Sequence, residues 1–216
     1  MDLRTHIALT RHLQSHVDDE TTATRYTSGF LAALDDARAA SGRDGDGNVV
    51  DEERTGHWLG AVGWMILLDQ IGSCFRPAPS TGAAGVAADG HAVLNTLRWW
   101  YSELPDLEAR ALYALRCAFA HDYSLWNLNP KDPSLQHCFV VDRDPVRFVR
   151  LPSCPWNLGD PPTPANQTFI SLRGLGDVCE EIVSRVRVTA ASDTLEIVLK
   201  GDVDELEHRY GITCSY

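Results

Sequence analysis

The chain lacks the motifs that mark several large classes of enzyme. Its six cysteines are widely spaced and none forms a Cys-x-x-Cys pair, which argues against a zinc site. A P-loop, a dinucleotide-binding glycine motif and a convincing Ser-His-Asp arrangement are also missing. We therefore predict neither a metal site nor a cofactor.

A long apolar run is missing as well. The longest apolar stretch, residues 58–71, contains two glycines and the polar pair Asp69 and Gln70, and it is too short to span a bilayer. No apolar run follows a basic start, so no signal peptide is visible. These absences predict a cytoplasmic protein without membrane contact, in which the cysteines stay reduced.

Positive charge is scarce. The chain has 19 Lys and Arg residues against 30 Asp and Glu residues, which gives a formal net charge of -11. Proteins that hold long stretches of nucleic acid are usually basic, so a broad DNA-binding surface is not expected. Any contact with RNA should be short, or a basic partner should exist. The hydrophobic fraction of 44% is that of a globular protein with a core.

Hydrophobic spacing predicts helices through the first half of the chain. Apolar residues recur there at helical intervals, and residues 58–71 are apolar nearly all round, which is typical of a central core helix. The predicted helices cover residues 22–40, 51–75, 91–102 and 105–121.

The pattern changes after Asn127. Short strands are predicted at residues 138–141, 146–151, 168–172 and 195–199, and helices at residues 174–188 and 202–210. A turn-like segment, residues 142–145, predicts that the first two strands form a hairpin. The predicted fold class is mainly α, with a helical bundle at residues 1–127. A small α+β extension with a short antiparallel sheet follows at residues 128–216 and packs on the bundle.

One segment near the end of the last bundle helix combines residues suited to phosphate chemistry. Arg116 is followed after four residues by His121, and Tyr123 comes two residues later. Histidine titrates near neutrality and can act as a general base or acid, while arginine stays charged and presents a planar fork to phosphate oxygens. Because RNA supplies its own 2′-OH nucleophile, this pair could cleave RNA without a metal and without a Ser or Cys nucleophile.

This Arg-x4-His-x-Tyr pattern resembles the HEPN superfamily, whose active members carry an Arg, four to six residues and then a His near the end of a core helix. With Tyr123 it is similar to the HEPN toxins that pair with a nucleotidyltransferase antitoxin. The resemblance covers residues 115–123 and departs from many members at Cys117, where they have Asn, Asp or His.

The resemblance implies a HEPN-like bundle, a homodimer and a metal-independent endoribonuclease that acts as a toxin or a phage-defence effector. It also implies an RNA substrate and an antitoxin or nucleotidyltransferase partner. In that group the residue that corresponds to Tyr123 is the one that the antitoxin can modify with AMP.

Helix geometry constrains this site. A five-residue step places two side chains of a regular helix about 140° apart, so Arg116 and His121 would not share a face. Either the helix loosens near His121, or the site is built across a two-fold dimer, which is what the resemblance implies. A helix face with small residues, on which a second helix could pack, runs through Ala109, Leu112, Tyr113, Arg116 and Ala120.

Three further residues are supporting candidates for the site. Asp122 and Cys117 flank the two catalytic candidates along the chain. Asp69 is a polar residue in an otherwise apolar helix, and it could orient Arg116 or His121 from there. An acid exposed at a helix end is an equally good interpretation of Asp69.

Structural roles are open for each main candidate. Arg116 could cap carbonyls at the helix end or pair with Glu108 or Asp122. The helix dipole favours a histidine such as His121 at a C-terminus, and Tyr123 could be a packing aromatic. The competing hypotheses for the whole protein are therefore a non-catalytic helical interaction or sensor module, and a structural protein.

Overall fold

Helices make up most of the chain that the computed structural model describes, which comprises residues 2–14, 17–19, 24–78, 90–143 and 148–215. The helices in these ranges are α1 (Leu3–Leu13), α2 (Gly29–Ala40), α3 (Trp58–Cys74), α4 (Ala92–Trp100), α5 (Asp106–Asp122), α6 (Leu172–Ala191) and α7 (Asp202–Tyr210). Short 3-10 helices lie at Arg54–Gly56 and Pro133–Leu135. The prediction of a mainly α protein is confirmed.

Three small sheets accompany the helices in the described ranges. Their strands are β1 (Val17–Asp19), β2 (Thr24–Ser28), β3 (Phe75–Pro77), β4 (Trp126–Asn127), β5 (His137–Asp142), β6 (Val149–Arg150), β7 (Thr168–Ser171), β8 (Leu195–Ile197) and β9 (Gly211–Ser215). One sheet has the order β1–β2–β9, a second pairs β3 with β8, and the third has the order β4–β5–β7–β6. Two of these sheets join strands from the two halves of the chain.

Helix α3 is the centre of the core, as its all-round apolar character predicts. Trp64, Leu67, Leu68 and Ile71 are fully buried, and the helix packs against α2, α4, α5 and α6. None of the helices in the described part of the chain combines the length and apolar character needed to cross a bilayer.

The predicted helix at residues 22–40 is wrong in its first part. Residues Thr24–Ser28 form β2, because they pair antiparallel with β9, almost 190 residues further along the chain. Ser28 then begins α2, since its hydroxyl accepts a hydrogen bond from the backbone N–H of Leu31 at 3.0 Å. Residues 22–23 lie outside the described ranges.

The predicted helix at residues 51–75 begins later than expected. A 3-10 helix occupies Arg54–Gly56, and His57 is extended, with φ -74° and ψ 130°. The regular helix therefore begins only at Trp58. The acidic residues 51–53 favour a helix start nearby, but they precede a break in the backbone rather than the first turn of α3.

The predicted hairpin is also wrong. Strands β5 and β6 do not pair with each other, because β7 lies between them, parallel to β5 and antiparallel to β6. Thr168, Ile170 and Ser171 of β7 are buried. In its central position, β7 forms backbone hydrogen bonds with a neighbouring strand along both edges. The sheet is therefore mixed rather than antiparallel. Residues 144–147 of the expected turn lie outside the described ranges.

Residues from both sides of the predicted domain boundary share one core. Helix α6 packs against α3, and its Leu175, Ile182 and Val186 are fully buried in the same hydrophobic cluster as α3. The division at residues 127 and 128 remains a prediction. The contacts establish that α6, which follows the predicted boundary, packs in the same core as α3.

Candidate functional site

Arg116 and Asp69 form an ion pair between α5 and α3. The Arg116 Nε donates a hydrogen bond to Asp69 Oδ2 at 2.6 Å, and Nη2 lies 2.5 Å from the same oxygen. Both side chains are partly exposed, at 32% and 27%. Asp69 therefore orients Arg116 from a neighbouring helix, which is one of the two interpretations that the sequence left open.

The pair leaves part of each group unused. Burial lowers the pKa of Arg116, but the hydrogen bond and the charge of Asp69 outweigh it, so the pKa is raised overall and the guanidinium stays protonated. Both contacts involve Oδ2. Among the described residues, neither Nη1 of Arg116 nor Oδ1 of Asp69 has a hydrogen-bond or ion-pair partner. Arg116 can therefore still bind an anion.

Tyr113 lies beside Arg116 on α5, and its contact with His91 is not indicated by the sequence. The Tyr113 hydroxyl lies 2.8 Å from His91 Nδ1, and the ring centroids are 4.3 Å apart. Burial raises the pKa of Tyr113, and hydrogen bonding to Cys117 raises it further. Tyr113 precedes Arg116 by three residues, so both lie on one side of α5. The sequence places Tyr113 on the predicted helix face for the same reason, but nothing in the sequence links His91 to α5.

His121 is exposed, and no hydrogen bond or ion pair joins its side chain to another described residue. Helix α5 stays α-helical through Asp122, which is also exposed. Of the two alternatives, the one in which the helix loosens near His121 and so brings Arg116 and His121 together is therefore wrong. Within one chain, Arg116 and His121 point about 140° apart.

Tyr123 ends α5 in a left-handed conformation with φ 49° and ψ 45°. Its ring contacts Trp58, with centroids 5.2 Å apart, and Phe119, with centroids 5.8 Å apart. Tyr123 is nevertheless 52% exposed. Tyr123 thus packs against two aromatic rings while about half of the residue is exposed.

The helix face predicted for a second helix is partly internal. Ala109 and Leu112 are buried within the protein's own core, so they cannot take part in a dimer contact. Ala120 is exposed, and Tyr113 and Arg116 are half-buried. These three residues form the part of the predicted face that a second molecule could reach.

A cavity of about 350 Å³ adjoins the ion pair. Asp69 lines it together with its neighbour Gln70, and α2 contributes Gly29 and Ala33. A second cavity, of about 290 Å³, lies in the α+β part near Trp156 and Gln136. Within the described ranges, no group of three or more His, Cys, Asp or Glu side chains gathers as a metal-binding cluster.

No family model matches the chain, and neither a curated protein nor a solved structure is significantly similar to it. The resemblance to the HEPN superfamily therefore rests on residues 115–123 and on the chemistry of their side chains.

Proposed function

We propose that the protein is a metal-independent endoribonuclease of the HEPN type, in which Arg116 binds the scissile phosphate and His121 transfers the proton. The observation that carries this proposal is the Arg116–Asp69 pair. The carboxylate fixes the guanidinium plane while Nη1 stays free, so the arginine is oriented before the phosphate arrives. An exposed histidine five residues later supplies an acid–base group.

The residues suit attack by the ribose 2′-OH. The 2′-oxygen forms a bond to phosphorus, the bond to the 5′-oxygen breaks, and the products are a 2′,3′-cyclic phosphate and a 5′-hydroxyl. His121 accepts the 2′-OH proton and then donates it to the departing 5′-oxygen. Arg116 stabilises the extra negative charge on the phosphate oxygens during the transfer.

The regular course of α5 favours a site composed of two molecules. Arg116 and His121 diverge within one chain, so we propose that a two-fold dimer combines the arginine of one protomer with the histidine of the other. Tyr123, whose ring is half exposed, is the proposed site of control by a nucleotidyltransferase partner. A toxin or phage-defence role fits such control.

The direct test is cleavage of total cellular RNA by the purified protein in EDTA. We expect the wild type to cleave and His121→Ala to lose cleavage by at least about a hundredfold, the usual contribution of a positioned acid–base group. His6→Ala is the matched control, because His6 is also an exposed helical histidine. Unchanged cleavage by His121→Ala would exclude the assignment.

A second candidate function is a non-catalytic binding module. Its support is that Asp69 already neutralises Arg116, as in a structural ion pair, and that the net charge of -11 disfavours RNA. If this function is correct, the wild type does not cleave RNA in the same assay, and Arg116→Ala lowers the melting temperature. An adjacent nucleotidyltransferase gene would favour the toxin instead.

A further inference from the structure

The cavity beside the Arg116–Asp69 pair has walls from three helices. Helix α2 contributes Gly29 and Ala33, helix α3 contributes Ile66, Asp69, Gln70 and Ser73, and Tyr210 closes the cavity from the end of α7. Its volume of about 350 Å³ lies within the range of small-molecule sites. The walls combine apolar side chains, an aromatic residue and a few polar groups, which is the usual composition of such sites.

Gln70 is buried here with an unused donor. The residue is only 7% exposed, and its Nε2 finds no acceptor among the described residues. A buried amide without a partner is unfavourable. Gly29 faces this amide closely, since a Cβ at Gly29 would lie 3.6 Å from Nε2 and 3.3 Å from the Tyr210 carbonyl oxygen. A larger residue at position 29 would therefore narrow the space around the amide.

Asp69 adds an unused acceptor next to this donor. Its Oδ2 receives both contacts from Arg116, which leaves Oδ1 without a partner in the described part of the chain. The two groups belong to consecutive residues of α3, with the Gln70 donor buried in the cavity wall and the Asp69 carboxylate partly exposed. The Arg116 guanidinium is bound to the same carboxylate, so a positive charge lies directly beside them.

We propose that this cavity is a nucleobase subsite for the RNA next to the scissile phosphate. Every nucleobase presents an acceptor and an N–H donor side by side on its pairing edge, which complements Gln70 Nε2 and Asp69 Oδ1. The base lies between Ala33 and Tyr210, and its phosphate meets Arg116 Nη1. This inference rests on the proposed ribonuclease function, because that function makes RNA the ligand.

The second cavity differs in its polar groups. Near Trp156, the amide of Gln136 donates to the Trp156 carbonyl at 2.9 Å, and both ring nitrogens of His137 are hydrogen-bonded, to Thr168 and to the Ser134 carbonyl. These groups need no ligand to complete their hydrogen bonds. Gln136 therefore serves as a control for Gln70.

The test measures binding of the four 3′-nucleoside monophosphates and of inorganic phosphate to the full chain by calorimetry. We expect at least one nucleotide to bind more tightly than phosphate alone. Gln70→Leu keeps the approximate side-chain volume. It should weaken the binding of that nucleotide by about tenfold, which is the effect of one hydrogen bond. Gln70→Leu should leave phosphate binding unchanged. The control Gln136→Leu should leave the binding of both the nucleotide and phosphate unchanged. Ala33→Leu, which fills the cavity from α2, should also weaken the binding of the nucleotide.

The outcomes separate this inference from the proposed function. Equal binding of nucleotides and phosphate, or nucleotide affinity that neither Gln70→Leu nor Ala33→Leu changes, would refute the subsite even if the wild type cleaves RNA. Nucleotide binding that depends on Gln70, in a protein that does not cleave RNA, would show that the cavity binds a base, but it would refute the ribonuclease and the place of the cavity beside a scissile phosphate. The preferred nucleotide identifies the base.

Discussion

His12 is a buried histidine without hydrogen bonds. Both ring nitrogens lack a partner among the described residues, and the rings of Phe30, Phe75 and Tyr210 surround it at centroid distances of 5.9, 5.7 and 6.2 Å. Burial alone lowers its pKa from 6.5 to about 4. The folded protein therefore holds this side chain neutral in an apolar site.

We predict that His12 makes the protein less stable in weak acid. The unfolded chain binds a proton at His12 below pH 6.5, whereas the folded chain resists it down to about pH 4. The contribution of the neutral His12 to the free energy of unfolding is therefore complete above pH 6.5. It is lost as the pH falls towards 4, and the loss is on the order of 3 kcal/mol.

Urea unfolding at pH 7 and pH 4.5 measures this loss, and His12→Phe is the variant that removes it. The difference in free energy of unfolding between the two pH values should be smaller in His12→Phe, because other groups titrate alike in both proteins. An equal difference in the variant and the wild type would show that His12 is not the cause.

At the residue scale, the sequence predicted side chains on one helix better than contacts between helices. Arg116, His121 and Tyr123 are where the helical pattern of α5 places them, at the end of the helix. Asp69 stands out in the sequence as a polar residue in an apolar helix, but the sequence does not decide between Arg116 and His121 as its partner. The contact of His91 with Tyr113 depends on how α4 and α5 pack, which no local pattern encodes.

Single elements show where local pattern fails and why. The helices α4 to α7 were predicted to within a few residues, because each carries an amphipathic period and clear end signals. Strand β2 was not predicted, since it lies between the nearby β1 and β9, and β9 comes from the other end of the sequence. The order of β5, β6 and β7 likewise depends on burial of the whole sheet and not on the turn between two strands.

Ser28 joins the end of β2 to the start of α2, and we predict that Ser28→Ala destabilises the protein by about 1–2 kcal/mol. Its buried hydroxyl accepts from the Leu31 N–H at 3.0 Å and donates to the His12 carbonyl at 2.7 Å. Both bonds are lost in the variant. Ser192→Ala is the control, because Ser192 is exposed at the end of α6, and it should change stability by less than about 0.5 kcal/mol. Equal urea midpoints for both variants would contradict the prediction.

At the scale of the whole molecule, the proposed two-fold dimer, which combines Arg116 of one chain with His121 of the other, predicts complementation between inactive chains. Arg116→Ala and His121→Ala should each be inactive as homodimers. A mixed dimer contains one intact composite site, so co-expression of the two chains at equal levels should restore about a quarter of wild-type cleavage.

Differently tagged chains allow the mixed dimer to be isolated before RNA cleavage is measured. Two tagged copies of His121→Ala provide the control, since they form the same dimer without an intact site. A purified mixed dimer that does not cleave RNA would mean that the dimer-spanning site is wrong.

The buried face of α6 has a consequence for how this protein can evolve. Leu175, Ile182 and Val186 fill the core beside α3, and β8 and β9 hydrogen-bond to strands of the first half. Recombination that exchanged the segment after residue 127 for an unrelated one would therefore remove core volume as well as any specificity that the segment carries. Residues on both sides of residue 127 must change together, so the segment that carries Arg116 and His121 and the segment that follows it are expected to be inherited as a single unit.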